Sequence, residues 1–379
     1  MRRPLLYFLV LFIACSPAKE EKYPYEIIKK ITKEHIEFEN LKLDSMVLEK
    51  INTSFLGKLH VFEKSIYFID EKFCYVNKFD ENGRFQNRYI GFGSERNELP
   101  LKKISFSTIL PNGKLLIIGP TWDCYVFDKD FNYIDDYAIN WHSNVSTEEM
   151  LKRPDYANSQ LYTLAYGVNL LKANNNFAFL PLISQHPDFN PTNKNYSTHA
   201  RVLGKMRIKN GYVEKIYGRL PPSYLANFNK QVFPYILFDL GNNEEMFSIF
   251  PADSSIYRMS NDFKIISIFG FQGKGMDTSY LNVDSVSSFT VNMKKQYDER
   301  GYYTSIKYIK EREILFRSYN RGLTQASGGL QAYHDEALIA DIDVPKGFEV
   351  VGYIAPYFYS NAFIDEEKGE IKVFKFKID

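Results

Sequence analysis

The sequence predicts an all-β fold, a six-bladed β-propeller closed by an N-terminal strand that completes the last blade. Three observations predict it: a strand pattern written repeatedly along the chain, a length that holds six such units, and a final unit that stops one strand short. The pattern is clearest when Asp130-Phe131-Asn132-Tyr133-Ile134 is laid over Asp262-Phe263-Lys264-Ile265-Ile266. Tyr125 then falls on Tyr257, Cys124 on Ile256 and Ile117 on Ile249, without a gap. Laying Cys74-Tyr75-Val76 over Cys124-Tyr125-Val126 brings Tyr67-Phe68-Ile69 onto Ile117-Ile118-Gly119. One such unit cannot bury its own apolar face, so units must stack on one another, and the stack must close.

The chain opens with an export signal. Arg2 and Arg3 precede an unbroken apolar run from Leu5 to Ala14, and Cys15 follows it at once. That run is too short to span a bilayer, which takes about 20 residues. An apolar core ended by a small residue and then Cys resembles the lipobox of bacterial lipoproteins. The resemblance implies that Cys15 is acylated and becomes the mature N-terminus. Lys19-Glu20-Glu21 resembles the tracts that carry some lipoproteins to the cell surface. The expected organisation is a lipoprotein signal peptide over 1–15, a polar tether over 16–32 and a single propeller domain over 33–379. The expected location is the bacterial outer membrane, lipid-anchored and facing either the periplasm or the cell surface.

After the tether, residues 35–51 alternate weakly (Ile36, Phe38, Leu41, Leu43) and read as one or two strands. The first unit follows with strands near 59–61, 65–69, 75–79 and 85–90, and Asp80-Glu81-Asn82-Gly83 is its hairpin turn. The second opens near Ile104, turns at Pro111-Asn112-Gly113, and continues through 115–118, 125–128 and 133–139. A third begins near Tyr166, a fourth near Pro234 and a fifth near Tyr303. The sixth has strands at 362–365 and 371–377 and then ends. Its missing outer strand is expected from the segment around 36–43, which would join the chain ends and remove an open sheet edge. Surplus length sits in loops 142–163 and 181–200. Within the first, Ser146-Thr147-Glu148-Glu149 has the form of a capping box that opens a short helix.

Composition fits a folded, exported body: 25% of the 379 residues are charged and 45% hydrophobic. The formal net charge of +1 leaves no field to draw the chain to nucleic acid, so no nucleic-acid partner is expected. Aromatics are abundant, with 28 Tyr and 31 Phe; such residues favour strands and also make binding surfaces.

Three joints between units read Tyr89-Ile90-Gly91-Phe92-Gly93-Ser94-Glu95, Ile216-Tyr217-Gly218-Arg219-Leu220-Pro221-Pro222 and Ile268-Phe269-Gly270-Phe271-Gln272-Gly273-Lys274-Gly275. A strand ending in an aromatic-Gly turn before the next inner strand resembles the NHL and TolB-like six-bladed propellers. The likeness is greatest to lipid-anchored propellers of the Bacteroidetes carried as a domain of unknown function. It covers residues 33–379 and implies a fold but no reaction.

Residues able to carry chemistry are sparse. Gly91-x-Gly93 and Gly273-x-Gly275 precede strands, whereas a dinucleotide-binding loop needs a following helix, so both read as tight turns. Cys74 and Cys124 take the place of Ile256 in the repeat and read as small buried hydrophobes. Equivalent positions on neighbouring blades stand too far apart to bridge. The histidines (35, 60, 142, 186, 199 and 334) form no metal-binding spacing. His186, His199 and His334 fall in what read as extended loops between second and third strands of units three and five. By strand parity those loops share a face with the joints. Trp122, Arg96, Arg219 and Arg321 fall on that face too, and these seven residues are the candidate ligand-binding set.

No catalytic residue, metal ligand or cofactor is expected. Asp70 and Asp365 occupy a repeated turn and read as structural, and no Gly-x-Ser-x-Gly elbow occurs. The strands that line the channel (59–62, 104–109, 168–171, 235–239 and 304–309) read as mainly apolar, with Asp239 at one end. The first functional reading is therefore a binding or scaffolding module for a glycan, peptide or protein partner. Its alternative is an envelope hydrolase or lyase acting on a sugar or lactone at the loop face. A soluble periplasmic sensor is a third.

Overall fold

The computed structural model describes residues 25, 28–38, 40–95, 97–141, 146–158, 160–165, 171–226, 228–281 and 286–378. Two strands lead, β1 (Lys33–Phe38) and β2 (Asp44–Val47). Blade 1 holds β3 (Gly57–Phe62), β4 (Ser65–Asp70), β5 (Val76–Phe79) and β6 (Phe85–Tyr89). Blade 2 holds β7 (Phe106–Ile109), β8 (Leu115–Ile118), β9 (Asp123–Phe127) and β10 (Tyr133–Ala138). Blade 3 holds β11 (Tyr162–Leu164), β12 (Lys172–Ala173), β13 (Phe177–Ser184), β14 (Leu203–Arg207) and β15 (Val213–Tyr217). Blade 4 holds β16 (Leu237–Leu240), β17 (Glu245–Ile249), β18 (Ile256–Ser260) and β19 (Ile265–Phe269). Blade 5 holds β20 (Tyr302–Ile309), β21 (Ile314–Asn320), β22 (Ser327–His334) and β23 (Ala337–Pro345). Blade 6 holds β24 (Val350–Ile354), β25 (Tyr357–Asp365) and β26 (Glu370–Phe376).

Each blade is an antiparallel meander, and in blade 3 both β11 and β12 pair with β13 in the innermost position. The innermost strands touch in a closed cycle: β3 with β7, β7 with β12, β12 with β16, β16 with β20, β20 with β24, and β24 with β3. Six small sheets thus surround one axis. Between them lie apolar layers, such as Leu59, Phe68, Ile354 and Val373 at the joint of blades 6 and 1.

The ring is closed by the N-terminal segment, but not by the residues the sequence suggested. The outer strand of blade 6 is β2, antiparallel to β26 with Asp44 opposite Lys375 and Val47 opposite Lys372. The preceding β1 runs parallel to β23 and widens blade 5 to five strands. Burial explains the division. β2 alternates in exposure and turns Met46 toward the core, followed by fully packed Leu48, whereas β1 is exposed along nearly its whole length and contributes backbone pairing. Leu41 and Leu43 between the two strands cover the blade 5–6 core.

The body also begins earlier than residue 33. Within the segment read as tether, the Tyr25 hydroxyl donates to the Arg219 carbonyl at 2.7 Å and its ring meets Tyr257 edge-on at 5.0 Å. The Ile31 amide donates to the Ile268 carbonyl at 2.7 Å. Residues 1–15, with Cys15, lie outside the described residues, as does the start of the third unit at 166–170.

The repeat has a physical basis at the turn between third and fourth strands. Phe131 and Phe263 both take left-handed backbone (φ +63° and +66°) and both are buried. Each amide closes the same turn, Phe131 onto the Asp128 carbonyl and Phe263 onto the Ser260 carbonyl. At the end of β4, Asp70 is fully buried and accepts from Thr53 and Ser54 on one side and the Lys72 and Phe73 amides on the other. It is a clamp for the blade 6–1 joint, as its place in a repeated turn suggested.

Helices decorate the end where joints enter the inner strands. The first, α1 (Thr147–Lys152), is capped by the Ser146 hydroxyl, which accepts from the Glu149 amide at 3.2 Å, the N-cap half of the capping box read from sequence. Then come α2 (Tyr196–His199), α3 (Pro222–Leu225), a 3-10 turn (Phe228–Val232) and α4 (Val286–Glu299). The last belongs to the longest joint, that between blades 4 and 5. It is held there by Gln296, whose amide bonds the Asn229 and Leu281 carbonyls, and by Tyr297 against Phe233.

Candidate functional site on the propeller axis

Of the described loop-face residues singled out by sequence, His186 and His199 meet on the Phe189 ring, whereas His334 lies at the other end. His334 closes β22 at the turn between third and fourth strands. That turn belongs to the opposite end from the loops between second and third strands. The stretch 318–335, read as a long loop, is mostly strand, because the blade 5 strands run seven to nine residues. Trp122 is half-buried, with left-handed backbone (φ +68°), and packs on Trp141 at 5.6 Å.

His186 is buried and fully engaged. One ring nitrogen lies 2.7 Å from the Leu151 carbonyl, the other accepts from the Asp188 amide at 3.0 Å, and the ring stacks on Phe189 at 3.6 Å. His199 is exposed and bonds within its own helix. Arg321 is spent on structure, reaching the carbonyls of Lys274 and Gly328 and the Asp343 carboxylate. Arg219 is half-buried beneath Tyr25. Arg96 lies outside the described residues. Cys74 and Cys124 are free and buried, and burial pushes the Cys74 thiol up to about 12.

The joints behave as their sequences imply. Gly218 has φ +75°, and a Cβ there would stand 2.7 Å from the Phe263 ring. Gly270 has φ +106°, and its Cβ would meet the Ser254 carbonyl at 2.8 Å. At Gly218 the backbone turns tightly against the neighbouring blade 4, and at Gly270 against the start of β18 in its own blade.

The charged groups gather instead on the axis. Inner strands were expected to be mainly apolar there, and the structure corrects this. Lys58 and His60 stand on β3, Ser107 on β7, Lys172 on β12, Asp239 on β16 and Lys307 on β20, and Glu349 immediately precedes β24. Asp239 is the hub. Its two carboxylate oxygens lie 3.1 Å from Lys172 Nζ and 3.3 Å from Lys307 Nζ, and it accepts from the Tyr308 amide at 2.9 Å. Burial alone would raise its pKa; the two ammonium groups and the amide together hold it below the usual carboxylate value.

The lysines keep 22% and 26% of their side-chain surface, so water reaches the axis, while Asp239 keeps only 6%. Around the hub, desolvation shapes each group. Burial pushes the Glu349 carboxyl up to about 7, with Lys58 and Lys172 opposing, and lowers Lys58 to about 8 against the pull of Glu71 and Glu349. His60 falls to about 3, through burial first and then Lys58, Lys172 and Lys307. It is a neutral imidazole at neutral pH, with Ser107 Oγ 3.4 Å from Nε2. Among the described residues no cluster of three or more His, Cys, Asp or Glu could hold a metal ion.

Comparison with solved structures fits this geometry. A member of the DUF4221 family from Bacteroides vulgatus superposes with a TM-score of 0.62 at 15% identity, over 89% of this chain and 97% of that one. A Bacteroides fragilis protein described as exported superposes with a TM-score of 0.54 at 13% identity, over 91% and 98%. The fold is a six-bladed β-propeller. At such identities the likeness carries the fold alone. Neither a protein-family model nor a curated protein sequence matches the chain.

The propeller's axis can therefore do one thing well chemically. It presents ammonium groups and a titratable carboxyl, in a low-dielectric setting with restricted water, to whatever enters. The sequence signal was present in Lys58 and His60 at alternate positions of an otherwise apolar strand. It reads as a solvent-facing phase until ring closure turns that phase inward.

Proposed function

We propose that this chain is a lipid-anchored propeller of the bacterial envelope that works as a binding module for a glycan, peptide or protein partner. One observation carries the reading: ionisable side chains from blades 1, 3, 4, 5 and 6 converge on an axis that water still reaches. Strongly perturbed ionisable groups in a concavity favour a functional site over a packing role. The hub carboxylate, Asp239, is committed to two ammonium groups and a backbone amide and so is a poor proton carrier, which supports binding; Glu349, raised to about 7, is the axial carboxyl suited to proton transfer and keeps hydrolysis as the second reading. The anchor rests on Cys15 behind its apolar run.

The test joins location and binding. Cys15→Ala should move the protein out of the membrane fraction or leave an unprocessed precursor. Purified protein, immobilised and exposed to envelope polysaccharides and tryptic peptides of the outer-membrane fraction, should retain a class of them at neutral pH. Mass spectrometry should find the retained species unchanged in mass. A cleaved or eliminated product would overturn the binding reading in favour of a hydrolase or lyase. Unchanged detergent partitioning of Cys15→Ala would overturn the anchor.

A further inference from the structure

A second concavity lies away from the axis, at the end of the propeller that carries the turns between first and second and between third and fourth strands. It is a cleft of about 380 Å³ between blades 2 and 3, inside the size range of small-molecule sites, roughly 300–1,000 Å³. Ile134, Tyr137 and Phe177 give it an apolar wall. Ile134 is 45% exposed there. The Tyr137 hydroxyl is already bound to the Ile208 carbonyl, so that residue offers its ring. Phe177 has the Lys205 ammonium 4.2 Å from its ring centre, which leaves its edge and other face to the cleft.

Polar groups stand around this wall with hydrogen-bonding capacity to spare. Asn175 uses its carbonyl oxygen on the Asn112 amide at 3.1 Å and keeps its NH2 group. The side-chain amide of Asn176 has no partner among the described residues. Asp135 offers a carboxylate acceptor. Two ammonium groups, Lys114 and Lys209, are exposed at the rim and are unpaired among the described residues, while Arg207 is taken up by Glu214. An apolar wall with amide donors and a carboxylate suits a ring that has C–H faces and vicinal hydroxyls. The two unpaired cations favour a negative charge on it.

We propose that the cleft between blades 2 and 3 binds a short saccharide that carries a carboxylate, its ring laid on Ile134, Tyr137 and Phe177 and its acid held by Lys114 and Lys209. This site is separate from the axial groups and stands or falls without them.

Isothermal titration of the folded propeller with digalacturonate, lactose and acetate tests it. Digalacturonate should bind saturably, lactose at least tenfold more weakly, and acetate without saturation at the same concentrations. Lys114→Met combined with Lys209→Met should erase the preference for the acidic sugar, and Phe177→Ala should weaken both sugars. Thermal melts of the lysine variants should stay close to the parent, since both positions are exposed; Phe177 packs partly against the core, so its variant is compared only after a melt shows it folded at the titration temperature. Absent or non-saturable digalacturonate binding overturns the proposal. So does binding that persists unchanged in the double lysine variant, or acetate binding as tight as the sugar acid, which would mark the rim as an anion site only.

Discussion

Lys172 and Asp239 face each other across the joint of blades 3 and 4, ammonium nitrogen 3.1 Å from carboxylate oxygen. The same carboxylate reaches Lys307 of blade 5 at 3.3 Å. One acidic side chain therefore joins three blades at their innermost strands. Removing one member of a buried pair leaves an uncompensated charge and costs about 3–5 kcal/mol in dry interiors. Here the lysines retain solvent, so Asp239→Asn is expected to cost about 2–3 kcal/mol, read as a lowered urea midpoint. Lys172→Met in the Asp239→Asn background should recover part of that loss. A midpoint that stays at the wild-type value would show the three-blade contact to be energetically idle.

Stability should depend on pH through two axial groups of opposite sign. His60 has a folded value of about 3 against an ordinary 6.5, so the unfolded chain binds more protons between those limits. Its contribution is present above pH 6.5 and is lost as pH falls toward 3. Glu349 has a folded value of about 7 against 4.5, so the folded chain binds more protons in that window. Its contribution is full below pH 4.5 and is lost as pH rises through 7. Lys58, Lys172 and Lys307 face His60, and Lys58 and Lys172 face Glu349. Glu349→Gln should raise Tm relative to wild type more at pH 8 than at pH 5, and His60→Gln should do so more at pH 4.5 than at pH 8. Parallel melting curves across pH would remove both groups from the balance.

Closure of the ring gives a paired prediction. Met46→Pro breaks the β2–β26 ladder opposite Val373 and should lower Tm sharply, with aggregation through the exposed edge of blade 6. Deleting 28–38 removes β1, the Ile31 and Lys30 hydrogen bonds and the partly buried Ile28, Ile31 and Phe38 side chains, but leaves blade 6 closed, and should cost less. Equal losses would mean that the two strands close the ring as one unit.

A joint glycine can be tested alone. Gly218→Ala forces φ +75° on an L side chain and drives a methyl to 2.7 Å from the Phe263 ring. A loss of about 1–3 kcal/mol in chemical denaturation is expected. Relief of that loss by Phe263→Leu would place the clash where the structure puts it.

The fold was legible in the sequence because its repeat falls on positions with a fixed backbone duty. Phe131 and Phe263 must each be buried in a left-handed turn, and Cys74, Cys124 and Ile256 each sit buried at or just before the start of a third strand. The site was less legible. Lys58, Lys172 and Lys307 look like solvent-facing residues on half-buried strands, and only the cyclic contact of six inner strands makes their solvent the narrow water of an axis. The inner strand of blade 3 at Lys172–Ala173 is too short to show a period at all. His334 was placed on the wrong end because 318–335, which includes the glycines at 328 and 329, read as a loop. They lie instead within β22, where a Cβ at 329 would overlap the Tyr319 ring. The helix α4 carries no alternation and owes its position to Gln296 and Tyr297.

The pairing of Val47 with Lys372 has a kinetic side. The partners are 325 positions apart (372 − 47), so the strand made almost first cannot find its place until the chain is nearly finished. Contacts of such span are slow to form because the loop they close is long. With five blades formed, the chain is a curved, unclosed stack with an unpaired flank at each end. The arrival of the residues after Pro345, which carry β24, β25 and β26, then converts an open arc into a circle in one step. Truncations from the C-terminus should accordingly fail all at once rather than blade by blade.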